Sequence, residues 1–269
     1  MGRTASISLR RALITSVSLL TFAYLLLPLI VVIGVSITET AYLKFPPQGF
    51  TLKWYADFFR DPTYVEALWL SVKLATVSTA VAVVLGVPAS LVIARRTFAG
   101  RGVVSALFLS PLILPTIVIG VAILQYAAHM GFARTFLALL VGHTVLVLPY
   151  IVRTTLASLA GMESSIEEAA QDLGATPTQT FFLVTLPQIK AGVIAGALFS
   201  FIMSWINVEV SIFHSTSSLS TLPVKLFNYV EFSVDPFLGA ASSLTIFLAI
   251  AVVLTLDAVI GIEKAASTR

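Results

Sequence analysis

The sequence contains no cysteine, which excludes a disulfide scaffold, an iron–sulfur cluster and zinc held by thiolates. Charge is also scarce, because Asp, Glu, Lys and Arg make up only 11% of the 269 residues, against about a quarter in soluble domains. Apolar and aromatic residues reach 58%, and the mean hydropathy is +0.99. This composition suits lipid rather than water as the surrounding solvent, and it predicts an all-α membrane protein.

Three functional signatures are missing as well. No lysine follows a glycine, so the chain lacks the glycine-rich phosphate loop through which many proteins bind ATP. No nucleophile–base pair or acidic cluster stands out, which predicts no catalytic residue, no metal site and no enzyme activity. The isoelectric point of about 9.3 comes with a net charge of only +3. The basic residues flank apolar runs instead of forming a patch, so we expect no nucleic-acid partner.

Six segments are free of Asp, Glu, Lys and Arg and are long enough to cross a hydrocarbon core, which takes roughly 20 helical residues. They are residues 12–37, 74–94, 103–128, 135–152, 191–208 and 236–256. The sequence therefore predicts a six-span helical bundle, a single transmembrane domain over residues 1–269.

Basic residues next to the spans indicate the orientation. Arg3, Arg10 and Arg11 precede the first span, and Arg95, Arg96 and Arg101 follow the second with no acid among them. Because short cytoplasmic segments are enriched in Lys and Arg, both termini are expected in the cytoplasm. The long connection over residues 153–190 then lies on the cytoplasmic side too.

That connection is strongly patterned. Ser164 and Ser165 each stand before an acid at capping-box spacing, Glu167 and Glu168, and either pair predicts the start of a helix. Apolar residues then recur on one helical face: Ile166, Ala169, Ala170 and Leu173.

Gly174 fits the left-handed position that ends helices. Thr176, Pro177 and Gln179 predict a second helix start, with that short helix ending at about Val184. We name residues 164–187, two short helices joined at a glycine, the elbow.

The elbow resembles a known motif. Its residues Glu168-Ala169-Ala170, Gly174 and Val184-Thr185-Leu186-Pro187 are similar to the E-A-A-x3-G-x9-I-x-L-P loop of binding-protein-dependent ABC importer permeases with a type I transmembrane domain. The one departure is Val184, where the family usually has isoleucine. The resemblance extends from the second span through Leu256.

The resemblance implies a function and its partners. In such permeases the short helix of this loop, the coupling helix, docks on a separate ATPase subunit, which binds ATP and magnesium, so none is expected on this chain. Glu168, Ala169 and Gly174 are the implied coupling residues, with Ala170 and Leu173 as packing support. The implied partners are an ATPase dimer, a second and different permease chain, an extracytoplasmic solute-binding protein and the bilayer of a bacterial inner membrane.

A later segment, Ser204 to Phe213 followed by Thr221 to Phe227, looks most like the spermidine/putrescine permease group. Many members of that group have an acid where this chain has Ile206 or Asn207, so polyamine is the first expectation for the solute and another small solute remains open. The candidate residues for the translocation path are Ser204, Trp205, Asn207 and Glu209.

Small residues recur at every fourth position of the fifth span: Gly192, Gly196, Ser200 and Ser204. Such a stripe indicates close helix packing, and its outer end is also a candidate path surface. Pro111 and Pro115 interrupt the third span and are expected to bend it, with a gate hinge as a hypothesis. His143 in the fourth span is interpreted as a hydrogen-bonded packing residue.

Two alternatives remain open at the level of sequence. A stand-alone carrier or channel would need no ATPase, but such carriers often place ionisable residues within the membrane, and the six segments contain no Asp, Glu, Lys or Arg. An importer of a phosphonate, an iron complex or an oxyanion fits the same motif.

Overall fold

The computed structural model describes residues 2–260 of the chain, with side chains for Arg11 and residues 13–255. Arg3 and Arg10, which contribute to the orientation argument, lie outside the described side chains. Within the described part every regular element is a helix and none is a strand, which confirms the predicted all-α class.

Twelve α-helices follow one another along the described residues. They are α1 (Gly2–Val35), α2 (Lys53–Arg60), α3 (Pro62–Arg95), α4 (Arg101–Leu109), α5 (Thr116–His129), α6 (Phe136–Ala160), α7 (Ser164–Asp172), α8 (Pro177–Thr180), α9 (Leu186–Trp205), α10 (Ser211–His214), α11 (Leu222–Val230) and α12 (Pro236–Ile260). A 3-10 turn, Ser110–Leu112, follows α4, and a π-helical turn, Phe181–Thr185, joins α8 to α9.

Five stretches are long and apolar enough to cross a bilayer: one each in α1, α3, α6 and α12, and one running from α8 through α9. The pair Arg101–Leu112 and Thr116–His129 makes a sixth, broken by a bend of 106°. The bend lies at the prolines that the sequence singled out, since Pro111 is in the 3-10 turn and Pro115 caps α5. Proline has no backbone N–H to continue a helix, which accounts for the break.

Two helices run further than the apolar patterns indicate. Helix α3 begins at Pro62, well before residue 74, and α6 continues to Ala160 through the first part of the connection assigned to residues 153–190. A hydropathy pattern detects only the apolar stretch that crosses the hydrocarbon core. The additional turns of α3 and α6 carry polar residues, so the pattern placed these helix ends too far inward. The single domain predicted over residues 1–269 stays a prediction.

The described residues group into two units, residues 2–62 with 228–248 and residues 63–227 with 249–260. In the first unit the segment between α1 and α2 folds back on itself. Trp54 Nε1 donates to the carbonyl oxygen of Thr38 at 2.9 Å. Phe58 is wholly buried and packs against Phe237, with ring centroids 6.3 Å apart. Aromatic burial thus holds α2 to the start of α12.

In the second unit the packing of α6 against α9 depends on the predicted small-residue stripe. A Cβ on Gly192 would lie 2.7 Å from the carbonyl oxygen of Thr154, and one on Gly196 would lie 3.0 Å from Ile151 Cα. Ser200 Oγ donates to a carbonyl oxygen of α6 at 3.1 Å. The helices approach so closely because the stripe has almost no side chain between the two backbones.

Gly192→Ala is therefore expected to destabilise the protein by about 1–3 kcal/mol, the usual cost of overpacking a tight contact. The new methyl group would clash with the Ser158 side chain and also with the carbonyl oxygen of Thr154, and a backbone atom cannot rotate away as a side chain can. Thermal unfolding in detergent measures the effect, and Gly102→Ala in α4 is the control because its Cβ would meet nothing within 4 Å. Equal melting temperatures for the two variants would contradict the close α6–α9 contact.

Candidate functional site

The elbow has the glycine and the second helix start that the sequence predicts. Helix α7 ends at Asp172, and Gly174 follows with φ +92°, a left-handed conformation that glycine adopts at no steric cost. Thr176 Oγ1 accepts from Gln179 N at 3.3 Å, while Gln179 Oε1 accepts from Thr176 N at 2.8 Å. This reciprocal capping box starts α8.

Two expectations for the elbow are wrong. Neither Ser164 nor Ser165 caps α7, because Glu163 occupies the extended N-cap position and the serines fall inside the first turn. The second short helix also does not end at Val184. It continues through the π turn, where Leu186 N donates to Phe181 O, directly into α9. A π turn admits one extra residue, which lets the helix pass Pro187 without the missing N–H.

The predicted coupling residues occupy the outer face of the elbow. Glu168, Ala169 and Gly174 are exposed, and Ala170 is half-buried. Leu173 has 91% of its surface exposed, which is unusual for a leucine beside a well-capped turn. Four of these five residues are thus exposed and the fifth is half-buried, which leaves them accessible to a partner.

Sequence reasoning missed the contact that holds the elbow. Arg95 Nε at the end of α3 lies 2.8 Å from Glu167 Oε2, and Thr185 Oγ1 donates to the other oxygen of Glu167 at 2.6 Å. The side chains of Arg95 and Glu167 are only 25% and 14% exposed. One carboxylate therefore ties α7 both to α3 and to the turn that begins α9. Nothing in the sequence indicated which of the two adjacent acids, Glu167 or Glu168, faces inward.

A cleft of about 510 Å³ opens near the opposite end of α9. We call it the Glu209 cleft, since Glu209 is the one ionisable side chain among the described residues that line it. The lining residues are Thr116, Ile117, Met203, Ile206, Asn207, Val208, Glu209, Ile212 and Phe227. Thr116 Oγ1 at the start of α5 donates to a carboxylate oxygen of Glu209. An exposed carboxylate thus stands against largely apolar walls.

The four predicted path residues are divided between two environments. Asn207 and Glu209 line the Glu209 cleft. Ser204 and Trp205 are buried in the helix packing, where Trp205 stacks on Phe201 with 6.3 Å between ring centroids. Among the described residues no group of three His, Asp or Glu side chains is arranged to hold a metal ion.

Comparison with known proteins gives a consistent result. Residues 82–262 match the model of the family described as binding-protein-dependent transport system inner membrane component. The spermidine/putrescine transport system permease protein PotC of Haemophilus influenzae is 32% identical over 86% of this chain and 90% of its own length. The putrescine transport system permease protein PotI of Escherichia coli is 29% identical over 84% and 83%.

Solved structures with the same fold have lower sequence identity. A chain of a bacterial ABC transporter involved in the import of the acidic polysaccharide alginate aligns with a TM-score of 0.73 at 16% identity, covering 91% of this chain and 95% of the other. A chain of the methionine ABC transporter MetNI aligns with a TM-score of 0.60 at 20% identity, covering 76% and 96%. At these identities the likeness concerns the fold.

Proposed function

The chain belongs to the family of binding-protein-dependent transport system inner membrane components, the permeases of ABC importers, and from that premise we propose that it carries a polyamine. It forms half of the translocation pathway beside a second, different permease chain. An extracytoplasmic binding protein delivers the solute, and a separate ATPase dimer binds ATP and magnesium and supplies the energy. The chain itself has no catalytic role.

Coupling to the ATPase is assigned to the elbow. Arg95, Arg96 and Arg101 follow the second span, and Arg95 contacts the elbow. These basic residues support a cytoplasmic position for the elbow in a bacterial inner membrane. The exposed Glu168 and Leu173 offer a charge and an apolar contact to the ATPase. Motion of α7 then reaches α3 and α9 directly, because Glu167 contacts Arg95 and Thr185.

The Glu209 cleft is the observation that carries the solute assignment. A polyamine is a flexible hydrocarbon chain with ammonium groups, so it needs an anion and apolar walls. Glu209 supplies the anion, and side chains such as Ile117 and Phe227 supply walls for the methylene groups. The relatives named for spermidine and putrescine support the same choice.

Glu209→Gln is expected to lower polyamine uptake by at least about tenfold at limiting solute. A hydrogen bond to a charged group contributes about 1.5–3 kcal/mol, and 1.4 kcal/mol corresponds to a factor of ten. The measurement is uptake of labelled spermidine and putrescine by vesicles that contain the complete importer. Glu231→Gln, a loss of an exposed acid outside the cleft, is the control.

Unchanged spermidine uptake in Glu209→Gln over the whole concentration range would remove Glu209 as a solute contact. The importer assignment has its own test, because a stand-alone carrier or channel would transport solute in vesicles that contain this chain without an ATPase. We expect transport only when the ATPase, the second permease and ATP are all present.

A further inference from the structure

The backbone that carries Asn207 and Glu209 is not helical. Helix α9 ends at Trp205 and α10 begins at Ser211, so residues 206–210 connect two helices without being part of either. Asn207 Oδ1 accepts from Val210 N at 2.9 Å, which is a hydrogen bond within the connection itself. A connection of this kind within a helical bundle needs outside support, because its backbone lacks the hydrogen bonds of a helix.

His143 on α6 provides that support from both ends at once. Its Nδ1 lies 2.7 Å from Ser204 Oγ in the last turn of α9, and its Nε2 lies 2.9 Å from Ser211 Oγ in the first turn of α10. His143 and Ser211 are wholly buried, and Ser204 is 4% exposed. A single imidazole ring therefore bridges the two helix ends on either side of the connection.

The hydroxyl partners determine the direction of these hydrogen bonds. Ser211 Oγ donates its one hydrogen to the carbonyl oxygen of Asn207 at 3.0 Å, so it must accept from His143 Nε2–H. A wholly buried imidazole without a compensating anion is neutral, and its Nδ1 then accepts from Ser204. Ser78 Oγ on α3 lies 3.1 Å from Ser204 Oγ and 3.3 Å from the carbonyl oxygen of Ala75. The hydrogen bonds thus run from Ser204 through the ring to Ser211 and the backbone of Asn207.

We propose that His143 is a positioning residue for the solute: its imidazole holds Ser204 to Ser211 and so fixes the 206–210 connection that presents Asn207 and Glu209 to the Glu209 cleft. The proposal rests on the proposed function for its effect on transport. The bridging of the helix ends can be measured without any solute.

The chain has no cysteine, so a cysteine introduced at Ile206, which is 55% exposed, takes the one spin label on this chain, and the partner subunits are used with their cysteines removed. In the complete importer, His143→Ala and the milder Ser204→Ala are both expected to increase the mobility of this label. Ser200→Ala is the matched control, because it removes a buried α6–α9 hydrogen bond and does not contact the connection. It should leave the label unchanged.

Transport gives the second measurement. His143→Ala and Ser204→Ala are expected to raise the apparent KM for spermidine by about tenfold, a change typical of losing one or two buried hydrogen bonds, while Ser200→Ala leaves KM unchanged. An unchanged label in both His143→Ala and Ser204→Ala would overturn the proposal, as would equal mobilisation by Ser200→Ala. If the label responds as expected and Glu209→Gln has no effect on uptake, the proposed solute contact is wrong and the bridging role of His143 stands.

Discussion

Arg95→Glu is expected to reduce ATP-driven uptake by at least about a hundredfold. The substitution replaces the cation that lies 2.8 Å from Glu167 Oε2 with a second carboxylate, at a site where both side chains are mostly buried. Removing one partner of a buried ion pair costs about 3–5 kcal/mol, and like charges add to that. The elbow should detach from α3, so ATP hydrolysis no longer moves the spans.

The measurement is solute transported per ATP hydrolysed by the reconstituted importer. Arg96→Glu is the matched control, since it makes the same change of charge at the adjacent, exposed position and should keep most of the uptake. The double variant Arg95→Glu with Glu167→Arg restores opposite charges and is expected to recover a measurable fraction. A double variant as inactive as Arg95→Glu, with Arg96→Glu equally inactive, would show that the pair has no special role.

Gly174→Pro is expected to abolish coupling while the chain still inserts. Proline holds φ near −65°, whereas Gly174 has φ +92°, and proline also removes the bond from Gly174 N to Gln171 O at 2.9 Å. The elbow cannot keep its angle under both changes. A Cβ at this position would meet nothing within 4 Å, so the effect comes from the backbone and not from a clash.

The same substitution at Gly131 is the control. Gly131 has φ +79°, open space around its Cβ, and a bond from its N–H to Ala128 O at 3.2 Å, but it connects α5 to α6, away from the elbow. Uptake and ATP hydrolysis should stay coupled in Gly131→Pro. Gly174→Asn should retain most activity, since asparagine tolerates the left-handed region. Loss of coupling in Gly131→Pro, or intact coupling in Gly174→Pro, would contradict the role of the elbow angle.

Much of the fold was predictable because it follows from local sequence. A bilayer leaves the backbone no partner except itself, so uncharged apolar runs must become helices wherever they occur. Pro111 and Pro115 marked the break in the third span for a similarly local reason, the missing N–H. The continuation of α8 through a π turn into α9 was not predictable, because it depends on how one extra residue is accommodated before Pro187.

The candidate site was predictable in part. The motif selected the residues predicted to couple to the ATPase, since glycine, alanine and acid spacing can be seen without a structure, and the structure shows that most of them are exposed. It did not separate Glu167 from Glu168, because adjacent helical residues point about 100° apart and only the packing of α3 decides which one is enclosed. For the same reason Ser204 stood among the path residues, although His143 and Ser78 enclose it.

The sequence by itself indicated a membrane-spanning helical permease and predicted an elbow that couples to an ATPase, because hydropathy, proline, glycine and capping residues act on the few residues around them. Only the tertiary structure decided which acid meets Arg95, how closely α6 approaches α9, and that the His143 imidazole lies between Ser204 and Ser211. These contacts join residues far apart in the chain, and their geometry exists only once the helices pack together.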